Sequence, residues 1–351
     1  MKLFTKRAVG IDIGAASIKV VELSASGDNK SLENYLEFKL PKDDAPLKTF
    51  YGSSMLLLSN EVSDILQSLF KKAKIETRKA AFSIPDFSTF FTTFDLPPMT
   101  EAEIPRAVEF EARHHIPLPL SEVSFDWQII EKEQVSPGVR LKVLLVAVPN
   151  KVLESYQRMA ALCNLEVKGW EAEVFGLMRS SVKAGKHWGP VCLVDIGWQS
   201  TTVSIVDKMV LRASHSFDFS SSGLTQAISQ TLKMNEEQAE DAKTRFGLDP
   251  KNEAVANVLL KEIDILALEV EKICVNYGQD SNNPLNDVIL AGGTAALFGL
   301  KEYFTSRLKK NVQVANPFSV FLYPPILQKR LSEIGSSFAV ASGVAMMALE
   351  A

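Results

Sequence analysis

Cysteine is scarce in this chain, with three in 351 residues. Cys163, Cys192 and Cys274 lie far apart and show no metal-ligand spacing, which argues against a disulfide scaffold or a zinc module. No histidine stands with them in a nucleophile–base pattern, so they read as buried thiols of a reducing compartment. Histidine is scarce too, at four residues. Two are the adjacent pair His114–His115; on a helix their rings diverge and cannot share one metal, so they read as structural or surface groups. An excess of one charge is missing: 38 Lys and Arg stand against 42 Asp and Glu, a formal net charge of −4. Broad nucleic-acid binding needs a basic field, and none is present. No apolar run reaches the ~18–20 residues of a bilayer span. The opening "MKLFTKRAVG" has basic residues but no signal-peptide core, so a short solvated lead-in and a soluble, cytoplasmic protein are expected. No segment is low-complexity. What is present is ample apolar material, 46% of the chain, over a length beyond the ~100–200 residues of one domain; two lobes are expected.

Along the chain, "RAVGIDIG" and "SIKVVELS" read as strands joined by a tight glycine-containing turn. "NYLEFKL" follows as a third. "SNEVSDILQSLFKKAKI" has Val62, Ile65, Leu66, Leu69 and Phe70 at helical spacing, capped by Ser59 or Asn60. "KAAFSIPD" returns to strand. An aromatic, proline-punctuated stretch follows, in which Thr100 and Glu103 make a capping box for a helix to about His115. Pro105 falls in or just beyond the first turn and predicts distortion there. The stretch as a whole predicts strand–helix–strand–strand–helix over about 84–165. From Pro190, "VCLVDIGWQSTTVSIVDKMVLRASHSFDFSS" gives three more strands. Helical segments follow, then "VILAGGTAALFG" as strand, double glycine and helix. "SSFAVASGVAMMALEA" reads as a small-residue C-terminal helix.

An internal repeat carries the chemistry. Asp12 laid on Asp195 brings Gly14 onto Gly197, Ser17 onto Ser200 and Val20 onto Val203. So wide an offset is not a solenoid period; it predicts two similar lobes facing one another. Each Asp-x-Gly turn joins a carboxylate to a run of backbone N–H groups. Gly14 and Gly197 permit close approach of a ligand, and the amides with Ser17, Ser200, Thr201 and Thr202 suit phosphate oxygens. Asp12 and Asp195 suit Mg²⁺ held through its retained waters. Lys19 adds a positive charge beside the phosphates. Gly292, Gly293 and Thr294 lie at a helix start, where orphan amides favour anions or ribose.

These motifs, in this order, resemble the actin-like ATPase superfamily of actin, chaperone ATPases, sugar kinases and the cell-division protein FtsA. "IDIGAASIK" resembles its first phosphate motif, "VDIGWQSTT" its second and "ILAGGTAALFGL" its adenosine motif. "EEQAEDAKTRFG" is similar to the FtsA-type helix beside adenine and ribose. The insert "LPPMTEAEIPRAVEFEARHHIPLPLSEVSFDWQII" resembles the extra subdomain of the FtsA branch, and with the opening "LFTKRAVGIDIGAASIKVVEL" it places the likeness in the PilM family of type IV pilus assembly.

The resemblance implies an α/β fold of two ribonuclease-H-like lobes. The first lobe takes residues 1–83, 166–189 and 336–351; an FtsA-type insert takes 84–165. The second lobe takes 190–335, with 224–284 as a helical subdomain. It implies ATP or ADP with Mg²⁺ bound by Asp12, Gly14, Ala15, Ala16, Ser17, Lys19, Asp195, Gly197, Gln199, Ser200, Thr201, Thr202, Glu240, Lys243, Gly292, Gly293 and Thr294. Ala16 is smaller than the hydroxyl residue often found there, so one phosphate contact is expected to be missing. Glu171, in the connecting motif "VKGWEAEVFGLMR", matches the family's catalytic position; Glu173 is equally acidic, and only one of them can serve. Weak turnover at most is implied. The family likeness also implies a partner, the short cytoplasmic N-terminal peptide of PilN, in a groove beside the insert near Phe87, Phe90, Phe91 and Phe94. The chain would then be peripheral on the inner membrane and would link that complex to the pilus motor ATPases, its oligomeric state left open. Two alternatives stand: a sugar-type kinase, although no acceptor motif is evident, and an FtsA-like polymer former, although "VAMMALEA" has no basic amphipathic tail.

Overall fold

The computed structural model describes residues 6–39, 60–136, 138–182, 189–281 and 283–351. The helix cap expected at Ser59 lies outside them. In the first lobe, β1 (Lys6–Ile13), β2 (Ser17–Ser26) and β3 (Asn29–Lys39) form an antiparallel meander. After α1 (Asn60–Ala73), β4 (Lys79–Ile84) pairs with β1 in parallel. β1 is apolar on both faces because both are covered. Val9, Ile11 and Ile13 face Val62 and Leu66 of α1, whereas Ala8 points into the opposite core.

The chain then leaves the lobe to form β5 (Phe90–Leu96), α2 (Ile104–His115), β6 (Val123–Val135) and β7 (Gly138–Pro149). These strands make their own antiparallel sheet, ordered β5-β7-β6, over a separate apolar core. The helix that follows, α3 (Asn150–Leu162), was expected in this insert. It packs instead on the first-lobe sheet, where Val152, Tyr156 and Met159 join Ile11 and Phe82. The chain returns through β8 (Glu166–Ala172) and α4 (Glu173–Ser181), completing the order β3-β2-β1-β4-β8.

The second lobe repeats the plan with β9 (Val191–Ile196), β10 (Thr201–Asp207) and β11 (Val210–Phe217). α5 (Ser221–Leu232), α6 (Glu236–Phe246) and α7 (Glu253–Ser281) follow, then β12 (Asp287–Ala291), α8 (Leu300–Leu308), β13 (Asn311–Val314) and α9 (Gln328–Ile334). Its order, β11-β10-β9-β12-β13, matches the first sheet strand for strand. Finally α10 (Ala339–Glu350) returns to pack on β1 and α4.

Local chemistry moved several boundaries. Thr100 N–H donates to Glu103 Oε2 at 2.8 Å, but the threonine hydroxyl donates to the same oxygen rather than capping the helix, and helical bonding starts only at Ile104. Pro105 in the first turn removes an N–H. The helical run after Leu224 breaks at Lys233, in the left-handed region, and restarts with a capping box of Asn235 and Gln238. The double glycine opens a short 3₁₀ turn, Gly293–Ala296, and α8 begins later, after Gly299. A helix dipole therefore does not act directly at Gly292. The helical run Pro325–Glu350 is apolar enough by composition for a membrane span, but 67% of its most apolar window is buried inside the fold.

The close approach of α10 depends on glycine. A Cβ on Gly10 would collide with backbone atoms of Ala341 and Ala345, and one on Gly343 with the Gly176 carbonyl. Gly343→Ala gains ~1 kcal/mol of helix propensity, but the contact is to backbone that cannot swing away, and overpacking costs ~1–3 kcal/mol or more. Net destabilisation is expected in urea unfolding, with a similar loss for Gly10→Ala; unchanged midpoints would show that α10 can shift freely.

Candidate functional site

The two Asp-x-Gly turns are built alike. Gly14 N–H donates to the Ser17 carbonyl and Gly197 N–H to the Ser200 carbonyl, both at 3.0 Å. Asp12 pairs in register with Lys19 across the first hairpin, and Asp195 with Thr202 across the second. Each aspartate ends the central strand of its sheet, so the lobes present their carboxylates to one another. Ser83 donates its hydroxyl to Asp12 Oδ1 at 2.7 Å and orients it.

Two further carboxylates join them. Asp86 follows β4, and Glu173 opens α4. Asp86 N–H donates to Glu173 Oε2 at 3.1 Å, while Val174 N–H donates to Asp86 Oδ1 at 3.2 Å. The two acids thus brace one another through backbone at the mouth of α4, where the dipole favours a negative group. Burial, then repulsion from Asp195 and Asp12, pushes Asp86 up to about 8 against the single helping bond from Val174. Burial and the three aspartates raise Glu173 well above the carboxylate range. Asp195 is pushed up to about 6 by burial and Asp12, moderated by the Lys19 ammonium. Among the described residues no three metal-ligand side chains stand close enough to chelate a cation directly. A cation there would be held through its waters rather than chelated directly.

The structure separates the two connecting-motif acids. Glu171 lies in β8, not on a helix, and makes a two-toothed pair with Arg179 (Nη2–Oε2 2.9 Å) whose Nη1 also donates to the Gly343 carbonyl. Glu173 joins the aspartates instead. Beneath them the Tyr156 hydroxyl is fully buried without a hydrogen-bond partner among the described residues, its phenol pushed upward by burial and then by Glu173 and Asp12.

The residues expected on the base side form a connected group. Lys243 is buried and donates to the Ser221 carbonyl, the Ser221 hydroxyl and the Thr225 hydroxyl at 2.7–2.9 Å, and pairs with Glu240 at 2.7 Å. Its ammonium lies 5.4 Å from the ring centroid of Trp198, on the second Asp-x-Gly turn. Gly292 abuts that turn too: at φ +83°, a Cβ there would stand 2.6 Å from Asp195 Oδ1. The motifs from three parts of the chain therefore meet at one place. Thr201 and Thr294 each carry a buried hydroxyl with no partner among the described residues. Ala15 and Ala16 are half-buried at the first turn, and Gln199 and Gly293 are exposed.

The sequence left Asp86 unmarked because it reads as a plain strand end before a turn; only the parallel pairing of β4 beside β1 brings it to Asp12. The four phenylalanines do not form one groove. Phe90 and Phe94 sit in the insert core, Phe94 stacked on His115 at 5.2 Å; Phe91 packs near Phe175; Phe87 is exposed.

A family model described as "Type IV pilus assembly protein PilM" matches residues 10–349. Among solved structures, the PilM–PilN type IV pilus biogenesis complex superposes with a TM-score of 0.81, at 22% identity over 98% of this chain and 99% of that one. MreB5 of Spiroplasma citri bound to ADP gives 0.53, at 13% identity over 97% and 95%. These likenesses show an actin-like fold. The cell-division protein FtsA of Staphylococcus epidermidis is 19% identical over 242 residues, 62% of this chain and 51% of that protein. The chain thus spans about half the length of the curated relatives it matches.

The raised carboxylates set a pH dependence. Between their unfolded values near 4 and their folded values, the native state binds more protons than the unfolded one, so stability falls as pH rises. The thermal midpoint of the ligand-free chain is expected to drop from pH 5 to pH 8, through the range set by Asp195 and Asp86. Asp86→Asn, which keeps an acceptor for Val174, flattens that drop in a pH series of melts.

Proposed function

The chain belongs to the PilM family of type IV pilus assembly proteins, and from that premise we propose that it is an ATP-binding scaffold of the pilus inner-membrane complex. In this role it takes the cytoplasmic N-terminal peptide of PilN beside its insert and connects that complex to the pilus motor ATPases. It would lie in the cytoplasm, held to the inner membrane through its partner.

The observation that supports nucleotide binding is the meeting of two matched turns around repelling, buried carboxylates. Mg²⁺ with a nucleotide supplies the positive charge and phosphate oxygens that such a site lacks. In that arrangement Asp12 and Asp195 orient the cation through its waters. The turn amides at Ala15–Ala16 and Trp198–Gln199, and the hydroxyls of Ser17, Ser200, Thr201 and Thr202, would hold phosphate oxygens, with Lys19 alongside. Thr294 at the adenosine turn gains a partner for its orphan hydroxyl, and Glu240 and Lys243 wall the base side. The water-orienting position falls to Glu173, since Glu171 is committed to Arg179. A Glu173 held protonated is a poor base, which fits a slow enzyme.

The partner reading is supported by the likeness to a PilM–PilN complex across nearly the whole chain, insert included. Calorimetry tests both parts. Asp195→Ala is expected to weaken Mg-ATP binding at least tenfold, about 1.4 kcal/mol, while a synthetic PilN N-terminal peptide still binds. No heat from that peptide with the intact chain would remove the partner. A fast wild-type ATPase rate abolished by Asp195→Ala would show an engine rather than a scaffold.

A further inference from the structure

A second concave site lies at the far end of the first lobe. β4 runs from Arg78 toward the carboxylates at its other end, so the groove beside Arg78 stands ~20 Å from them. It is also at the C-terminal end of α3, away from the insert that α3 follows. The groove encloses about 610 Å³, within the ~300–1,000 Å³ of ligand clefts. Its floor is apolar, made by edges of Leu66, Phe70 and Ile75. Its rim carries Lys71, Lys74 and Arg78.

The walls are preformed. α1 closes with Lys74 in the left-handed region, the Ile75 N–H bonding the Phe70 carbonyl at 2.9 Å. α3 closes the same way at Asn164, the Leu165 N–H bonding the Ala160 carbonyl at 3.0 Å. These αL ends fix the backbone on both sides. None of the three rim cations has an ion pair among the described residues, whereas many cations elsewhere do, such as Arg7, Arg113, Arg179 and Arg307. Glu76 is the one carboxylate in the lining. The two helix C-termini offset roughly one charge more. Asp64 acts on the Cys163 side of the groove and Glu166 offsets Lys79, so the positive excess is concentrated at Lys71, Lys74 and Arg78, with Lys72 next to them in sequence.

We propose that this groove is a docking site for an acidic, leucine-bearing peptide segment of a partner protein. Carboxylates of the segment pair with Lys71, Lys74 and Arg78, and its apolar side chains fill the floor over Leu66, Phe70 and Ile75. A flat anionic membrane fits less well, because the apolar atoms lie at the bottom of a concavity rather than on a projecting tip. The site does not depend on nucleotide or on the groove beside the insert.

The test is selection of a displayed random peptide library on the intact chain, followed by fluorescence anisotropy with the labelled consensus. Enrichment of Asp and Glu around Leu, Ile or Phe is expected, with affinity that weakens as salt rises. Lys71→Glu/Arg78→Glu should lose binding at least tenfold while its melting curve shows it folded; Lys71→Ala/Arg78→Ala serves if it does not fold. A charge-reversed consensus carrying lysines should bind the Glu variant. No enrichment, a neutral or basic consensus, or equal binding by the variants would overturn the proposal. So would phosphatidylglycerol vesicles that retain the wild type, lose the Glu variant and are not displaced by the consensus peptide.

Discussion

Repulsion among buried carboxylates is the constraint on which this molecule turns. Asp12, Asp86, Glu173 and Asp195 come from both lobes and meet with few cations near them. Burying charge without a partner is costly, and the usual response is to keep the proton. The raised titration of Asp86, Glu173 and Asp195 is that response. A fold that keeps such a cluster carries a standing cost of assembly, which a bound cation would relieve. The cost is tolerable because the acids are separately braced: Ser83 on Asp12, and the crossed backbone bonds between Asp86 and Glu173.

That bracing rests on the packing beneath it. Each central strand must deliver its aspartate to the same height, and both sheets do so with the same strand order. α10 then passes under β1 closely enough that only glycine fits at Gly10 and Gly343. Arg179 reaches from α4 to the Gly343 carbonyl while it holds Glu171. The same helix contact therefore fixes the direction of α4, and with it the position of Glu173 at the helix start. Stability of the core and geometry of the site are one problem here.

Much of this was legible in the sequence, for identifiable reasons. The Asp-x-Gly repeat was visible because each turn needs a small residue and a carboxylate within a few positions, a local requirement that sequence records. The expectation of two similar lobes followed from it, whereas the insert and the place of the C-terminal helix were implied by the family resemblance. What was not legible was long-range. Asp86 becomes part of the site only through parallel pairing between β1 and β4. The choice between Glu171 and Glu173 depends on β8 ending at Ala172: a continued strand would keep both on one face, but α4 begins at Glu173 and sets it beside Asp86, while Glu171 stays paired with Arg179. α3 was placed in the insert because it follows without a break, but its buried face matches the first-lobe sheet. The split of the four phenylalanines is likewise a matter of strand alternation, which a cluster in sequence conceals.

The same geometry bears on whether such a cleft works as an engine or a latch. A hydrolytic engine needs a base free to take a proton from water at the working pH. Glu171, the acid at the family position, is bound by a guanidinium and has no such freedom. Glu173 stands among the aspartates, and they favour its protonated form, which a bound cation would release by neutralising them. An acid released only by the ligand that it would act on gives binding a large effect on the site and turnover a small one. In the proposed role, an acid held protonated by its neighbours favours ligand binding over turnover, which makes the cleft a latch rather than an engine.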